Sequence, residues 1–317
     1  GVYGTRTLSE SLNNNSSSLY NLRLMYNRTF GDHSIDGFVA YEQSEGVGKF
    51  LSAFRKNLVS NDIQELFSGE SEGMTNDGGS SEWGRMHYFG SLGYNYKNKY
   101  LLDFTLRHDG SYNFAKGNRF GTFPGVSVAW RITNEEFIPD FSWLSDFKLR
   151  SSWAQLGNDR VASYQYMARY IYGGGDGTNR GDDNWYPFGL NPTQVNTFIE
   201  LATPNKNITW ETSNIVNIGF DATLLSNKLT TSFEYFYDQR RDILIGRSAS
   251  VPAYAGLSLP DENLGKVDNS GYEMKIQYAD QKGDFRYNAG FNLAYSKNKV
   301  VFLDEPSTVF PYQAIEG

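Results

Sequence analysis

Cysteine is absent from the 317 residues, which excludes disulfides, thiolate nucleophiles and cysteine-ligated zinc. Histidine is scarce: His33, His87 and His108 are too few and too scattered to build a histidine metal cage on their own. No apolar run approaches the roughly 18–20 residues of a membrane-spanning helix, and mean hydropathy is −0.53. Basic excess is missing too. With 29 Lys and Arg against 36 Asp and Glu, the net charge is −7, and the chain has no electrostatic footprint for nucleic acid. Residues 1–12 have neither the basic start nor the apolar centre of a signal peptide. Proline is rare, nine residues against 32 glycines.

What the chain has instead is aromatic side chains: 22 Tyr, 22 Phe and 6 Trp, or 16% of the sequence. A soluble core does not need so many tyrosines. A β-protein with aromatic belts at membrane interfaces does, because Tyr and Trp rings favour the headgroup level. The low mean hydropathy fits such a barrel, whose lumen face and loops are polar.

Alternation with a period of two is the dominant pattern. In residues 86–96, Met86, Tyr88, Leu92, Tyr94 and Tyr96 fall on one face, and His87, Ser91, Gly93 and Asn95 on the other. After a turn at 97–99, Tyr100, Leu102, Phe104 and Leu106 oppose Asp103, Thr105, Arg107 and Asp109. This is a strand with one apolar and one polar face. The same unit recurs around 20–41, 126–153, 216–237 and 272–295. About ten strands in five hairpins are therefore expected. Tight turns fall near 31–33, 97–99, 225–227 and 280–284, a longer one with a helical turn at 133–145, and long connections near 44–84, 155–211 and 239–269. Short turns on one rim, long loops on the other and strands of about ten residues favour an all-β, antiparallel up-and-down transmembrane barrel. A soluble β-sandwich or propeller would also alternate, but with strands nearer five or six residues. A partial barrel is expected: lipid leaves no edge unpaired, yet the last strand ends near Lys297 and the chain stops inside a loop at Gly317.

Chemistry is harder to find. Residues 173–177 (GGGDG) lack the Lys-Ser/Thr of a phosphate loop, and no nucleophile elbow or H-E-x-x-H motif occurs. His87 and His108 read as ordinary rim residues rather than general bases. On the polar face, Arg23, Asp103, Arg107, Arg131, Arg150 and Glu273 are expected to line the lumen, with Asp109, Lys148, Asp221, Glu234, Lys275 and Arg286 beside them. Such charges serve a substrate path or a docking surface for an internal plug, or else pair with one another across neighbouring strands. A long loop at 164–188 places Tyr170, Tyr172, Trp185 and Tyr186 beside Asp182 and Asp183. Flat rings beside carboxylates suit sugars, which stack apolar faces on rings, and suit peptides almost as well; rings packing within the loop is the plain alternative. Two carboxylates do not define a calcium site, and no metal or cofactor is expected.

Five blocks carry a resemblance. Residues 106–138 (LRHDGSYNFAKGNRFGTFPGVSVAWRITNEEFI), 143–159 (WLSDFKLRSSWAQLGND), 208–245 (ITWETSNIVNIGFDATLLSNKLTTSFEYFYDQRRDILI), 263–276 (NLGKVDNSGYEMKI) and 293–304 (LAYSKNKVVFLD) resemble, in order and spacing, SusC/RagA-type TonB-dependent outer-membrane transporters. The resemblance implies a barrel of roughly 22 strands with a plugged lumen. It also implies a SusD-like surface lipoprotein that captures oligosaccharides or peptides, and energy from TonB–ExbB–ExbD through an N-terminal plug. On this reading residues 1–317 are part of one barrel domain, without the signal peptide, the plug and the C-terminal strands. The implied function is non-catalytic nutrient import, of a glycan first, across the outer membrane of a Bacteroidota-type cell. A peptide importer of the same family and a siderophore or cobalamin receptor are the alternatives within the class. An enzyme barrel and a soluble carbohydrate-binding module are the alternatives outside it.

Within the blocks, Gly110 and Gly117 are expected to bracket a tight loop at positive φ. Pro124 is expected at a strand start or bulge. Trp130, Trp143 and Trp153 are expected near a short-turn rim or in the span.

Overall fold

A computed structural model describes residues 6–139, 141–172, 185–188, 193–196, 198–200, 203–247, 249, 259–305 and 310–317. Ten long strands follow in chain order: β1 (Thr7–Phe30), β2 (His33–Lys56), β3 (Thr75–Tyr96), β4 (Tyr100–Ser111), β5 (Phe120–Arg131), β6 (Leu144–Asn158), then β11 (Glu211–Leu224), β12 (Leu229–Ile245), β13 (Glu262–Lys282) and β14 (Phe285–Phe302). Between β6 and β11 lie the short strands β7 (Tyr170–Tyr172), β8 (Trp185–Phe188), β9 (Thr193–Asn196) and β10 (Phe198–Glu200). The long strands form one sheet in sequence order, β1 to β6 and then β11 to β14, so each pairs with its neighbours along the chain. Two small sheets, β10 with β7 and β8 with β9, sit in the long connection. The expected ten-stranded antiparallel meander is what forms. In the described sheet β1 and β14 are edges.

Chain contacts divide the protein into two compact units. The first holds Gly1–Leu22 and Tyr41–His87. Within it, the connection from β2 to β3 folds on itself. The Ser68 hydroxyl donates to the carbonyls of Ile63 and Glu65, the Asn57 amide donates to Glu70, and Leu58 is buried. The second unit, Arg23–Ala40 with Tyr88–Gly317, holds the strands on which the alternation is clearest.

Residues directly opposite one another across a strand pair share a face, because side chains alternate along each strand. Register therefore carries each face across the second unit. Leu102, Val128, Ser151, Ile218, Tyr235, Tyr272 and Tyr295 make one unbroken row from β4 to β14. One residue along each strand, Asp103, Ser127, Ser152, Asn217, Phe236, Gly271 and Ser296 make the row on the opposite face. The apolar row is open: Leu102 is 43% exposed, Ile218 56% and Tyr295 52%. A contiguous apolar face of this extent is not left to water in a monomeric soluble protein.

Several local expectations change. The strands outrun the alternation. β2 continues to Lys56 and β3 begins at Thr75, so much of 44–84 is paired strand. β12 likewise runs to Ile245 and β13 starts at Glu262, which shortens the connection expected at 239–269. At the start of β3, residues 75–82 are exposed and polar, so the strand continues there without an apolar phase. Gly110 and Gly117 are not among the positive-φ glycines. Gly110 lies inside β4, where a Cβ would meet the Phe120 ring at 2.5 Å. Pro124 stands inside β5, opposite Leu106. The β5–β6 ladder begins only at Gly125, so the amide that proline lacks has no demand from β6.

Candidate functional site

The charges on the polar face form a connected ladder across three strands. Lys148 on β6 pairs with Asp221 on β11 at 3.0 Å. The Arg150 guanidinium lies 3.5 Å from the same carboxylate and also bonds Glu234 on β12. Gly219 stands between Arg150 and Glu234 in the register, and its missing side chain leaves the path across β11 open. Glu273 on β13 is directly opposite Glu234, and no basic side chain bonds it among the described residues. Nearer the short turns, Arg131 pairs with Asp146 at 3.1 Å. Asp103 accepts from the Ser127 hydroxyl at 3.2 Å.

A second group mixes cations with rings. The Arg23 guanidinium sits 3.7 Å from the centre of the Phe38 ring. Phe38 meets Phe89 edge to face, with centroids 6.0 Å apart. Arg107 lies over Phe89 at 4.9 Å and forks onto Asp109 through two bonds of 3.0 and 3.1 Å. Contacts of this kind add about 0.5–2 kcal/mol each, depending on desolvation. Phe38 and Phe89 were not singled out by the polar-face reading, because an aromatic residue in the polar phase breaks the alternation. Their signal was that very break, on strands next to those carrying Arg23 and Arg107.

At the long-loop end a compact core closes over the same sheet. Phe114, Phe123, Ile208 and Trp210 are buried together, with Val161 and Leu244 packed on them. Phe123 comes from β5 and Trp210 from the residue before β11, and their rings meet at 5.3 Å. Gly121 and Gly157 leave room for Phe123, whose ring occupies the space a side chain would take at either. Polar bonds tie the surrounding loops: Asn113 donates to the Asp159 carbonyl at 2.8 Å, Trp210 to the Arg119 carbonyl at 3.3 Å, and Asn263 to the carbonyls of Thr209 and Asp242.

The aromatic loop is only partly described. Tyr170 opens β7 and is 59% exposed. The backbone of Tyr172 pairs with Phe198, and those of Trp185 and Tyr186 with Asn196 and Val195. Asp182 and Asp183, and the glycines at 173–177, lie outside the described residues. No group of three or more His, Asp or Glu that could hold a metal ion occurs among the described residues.

The short-turn rim is held by carboxylates that take the polar tips of aromatic rings. Glu135 accepts from Trp130 at 2.9 Å and pairs with Lys99 at 3.2 Å. Its carboxyl is held below its ordinary range, first by the Tyr100 hydroxyl and then by Trp130 and Lys99. Asp280 takes Lys228 at 3.0 Å and the hydroxyls of Tyr278 and Tyr287 at 3.2 Å. His33 bonds the Tyr94 hydroxyl at 2.7 Å and lies against Phe30 and Tyr96. Trp130 and Trp143 belong to this rim, whereas Trp153 pairs with Val126 and Val216 in the span.

One charged face, one open apolar face and tight turns with bonded aromatics along one rim define strands of an outer-membrane β-barrel. The chain belongs to the TonB-dependent receptor family: residues 1–312 match the family described as TonB dependent receptor-like, beta-barrel. It is 30% identical over 314 residues to TonB-dependent receptor P3 of Formosa agariphila, covering 98% of this chain and 30% of that protein. It is 30% identical over 222 residues to TonB-dependent receptor SusC of Bacteroides thetaiotaomicron, covering 68% of this chain and 21% of that protein. In fold it is similar to the structure of the RagAB peptide importer in the closed-closed state, with a TM-score of 0.81 at 20% identity over 96% of this chain and 32% of that one. The chain thus spans about a third or less of the length of these relatives. The family's barrels are outer-membrane transporters.

Proposed function

We propose that this chain is one section of an importer barrel in the outer membrane of a Bacteroidota-type cell, with its charged face toward the lumen and its apolar face toward lipid. Part of one barrel domain is then what residues 1–317 contribute, and the intact protein supplies the plug and the remaining strands. The cargo is a nutrient, first of all an oligosaccharide, delivered by a SusD-like surface lipoprotein and released inward when energised TonB displaces the plug. No bond is made or broken on the cargo. Arg23, Asp103, Arg107, Arg131, Arg150 and Glu273 face the path, and Tyr170, Tyr172, Asp182, Asp183, Trp185 and Tyr186 meet the cargo or the lid.

The observation that carries this reading is the pair of unbroken rows across seven strands, one apolar and exposed but for Ser151, the other polar but for Phe236 and Gly271. A soluble sandwich would cover that apolar face with a second sheet. Relatives named TonB-dependent receptor support the coupling, and the 30% identity to SusC supports an importer of that subfamily.

The test is to capture the tagged full-length protein from detergent-solubilised outer membranes and identify its partners by mass spectrometry. A stoichiometric surface lipoprotein is the expected result, and its cleft then separates sugars from peptides. A barrel that comes down alone under mild detergent would remove the lidded importer and favour a receptor for a small metal complex.

A further inference from the structure

We propose that the connection between β2 and β3 is a preformed docking knob for the surface lipoprotein, which receives it in an apolar pocket rimmed by Lys and Arg. The proposal rests on the reading above that such a lipoprotein lids the barrel.

Residues 57–74 join the ends of β2 and β3 that lie away from the tight turns at 31–32 and 97–99. In barrels of this kind the short turns are periplasmic and the longer loops extracellular. A connection of this length with a single helical turn, Leu66–Ser68, usually serves a function or is disordered. This one is tied down by its own bonds. Ser68 is the hub: its carbonyl accepts from the Val59 amide at 3.0 Å, and its buried hydroxyl donates to the carbonyls of Ile63 and Glu65. The Glu70 amide returns to the Lys56 carbonyl at 3.0 Å, and the Arg55 guanidinium bonds the Glu70 carbonyl and the Ser71 hydroxyl.

Around that hub stand apolar side chains open to water. Val59 and Phe67 are each 78% exposed, and Ile63 is exposed as well. Their backbones are held together at Ser68, since Val59 bonds the residue that follows Phe67 and the Ile63 carbonyl bonds the same serine. A loop already fixed in shape loses little further freedom on binding. An aromatic ring beside aliphatic groups, with polar residues around them, is the make-up of an interface centre.

The charge around the knob selects its occupant. Asp62, Glu65, Glu70 and Glu72 lie in the loop, and no Lys, Arg or His occurs between 57 and 74. The guanidiniums of Arg6 and Arg55, which flank it, are spent on its backbone, Arg6 on the Val59 carbonyl at 3.2 Å. Carboxylates repel the phosphates of lipid headgroups, so the knob is no membrane anchor. Val59, Ile63 and Phe67 offer a sugar one ring and no side-chain hydrogen bond, so the cargo is gripped elsewhere. What fits is a protein surface with an apolar pocket at its centre and cations around it.

The test captures the tagged full-length protein with its lipoprotein from detergent-solubilised outer membranes and reads lipoprotein per barrel. One double variant, Val59→Ser with Phe67→Ser, strips the knob. Another, Glu65→Lys with Glu72→Lys, reverses its rim. Asn61→Ala, exposed on the same loop, is the control. Wild type and Asn61→Ala are expected to hold one lipoprotein per barrel, the stripped variant at least tenfold less and the reversed variant at least threefold less. All should keep the heat-modifiable migration of a folded barrel. Full retention by the stripped variant would overturn the docking knob, and full retention by the reversed variant would overturn the basic rim of the partner. Loss of folded migration in the stripped variant would overturn the knob in favour of packing against another loop of the same barrel. A barrel dimer that the stripped variant dissociates, with lipoprotein unchanged, would overturn it in favour of a second copy. A wild-type barrel that comes down with no lipoprotein would remove the lidded-importer reading itself, and the knob's partner with it.

Discussion

Arg150 and Glu234 bond to each other across an intervening strand, over the bare backbone of Gly219. Without that guanidinium neither Glu234 nor Glu273 opposite it would have a bonded cation, and like charges directly opposite in a sheet repel. Both side chains are about a third exposed or less, so the pair is worth about 0.5–1 kcal/mol. A double-mutant cycle of Arg150→Met and Glu234→Gln, read by urea unfolding of the micelle-bound barrel, should return a coupling of that size. Zero coupling would mean that the two charges are separately solvated.

Gly219 itself is tightly constrained. A Cβ there would strike the Phe233 carbonyl oxygen, so Gly219→Ala should cost about 1–3 kcal/mol, as overpacking does. A neutral Gly219→Ala in the same unfolding experiment would contradict the close approach of β11 and β12.

Phe123 anchors the core at the long-loop end, and its truncation should cost about 3 kcal/mol. The effect should be local. Hydrogen exchange of the intact protein should speed up in 111–119 and 205–210, which contain Phe114, Ile208 and Trp210, and stay unchanged in β13. Gly157→Ala, which pushes on the same ring, should loosen the same two segments. Uniform loss of protection would mean that the cluster is part of global stability rather than a separate cap.

Glu135 lies in the turn after β5, outside the strands that cross the bilayer. The folded protein lowers its pKa below the ordinary 4.5, so the unfolded chain binds the proton more readily. The stabilisation is complete above about 4.5 and is lost as pH falls through the lower folded value. Melting of the wild type from about pH 6 down to about pH 3 should drop more steeply than that of Glu135→Gln. Parallel curves would show that the Tyr100, Trp130 and Lys99 bonds contribute nothing to the rim.

Strand identity and phase were legible from residues such as Leu102, Phe104, Ile218 and Tyr272, because one lipid-facing and one wet face impose a period of two. Strand ends were not. After Thr75 and Glu262 the residues are mostly polar on both faces, and before Lys56 and Ile245 apolar residues run together (Phe50 with Leu51, Ile243 to Ile245), so no period of two marks those strand ends. The polar-face charges were found by phase, but Phe38, Phe89, Phe123 and Phe236 were hidden by it. Phe236 occupies the space that Gly271 leaves opposite it. The core at the long-loop end joins Phe114 to Trp210 across nearly a hundred residues, a distance no local pattern spans.

The two faces differ most in what they tolerate. Val216 faces outward near the middle of the apolar band and Asn217 faces the other way. Val216→Arg should cost about 2–4 kcal/mol of barrel stability, the depth-dependent penalty of a charge in lipid, and Asn217→Arg much less. Equal costs, measured by unfolding from bilayers, would contradict the assignment of faces.

Spin labels placed singly along β4 of the intact protein in bilayers test the central claim most directly. Labels at 102, 104 and 106 should be accessible to dissolved oxygen, and those at 103, 105 and 107 should not, because the first set meets lipid and the second the polar interior. The same accessibility at all six sites, or strong exposure of the first set to a water-soluble nickel reagent, would contradict a barrel wall.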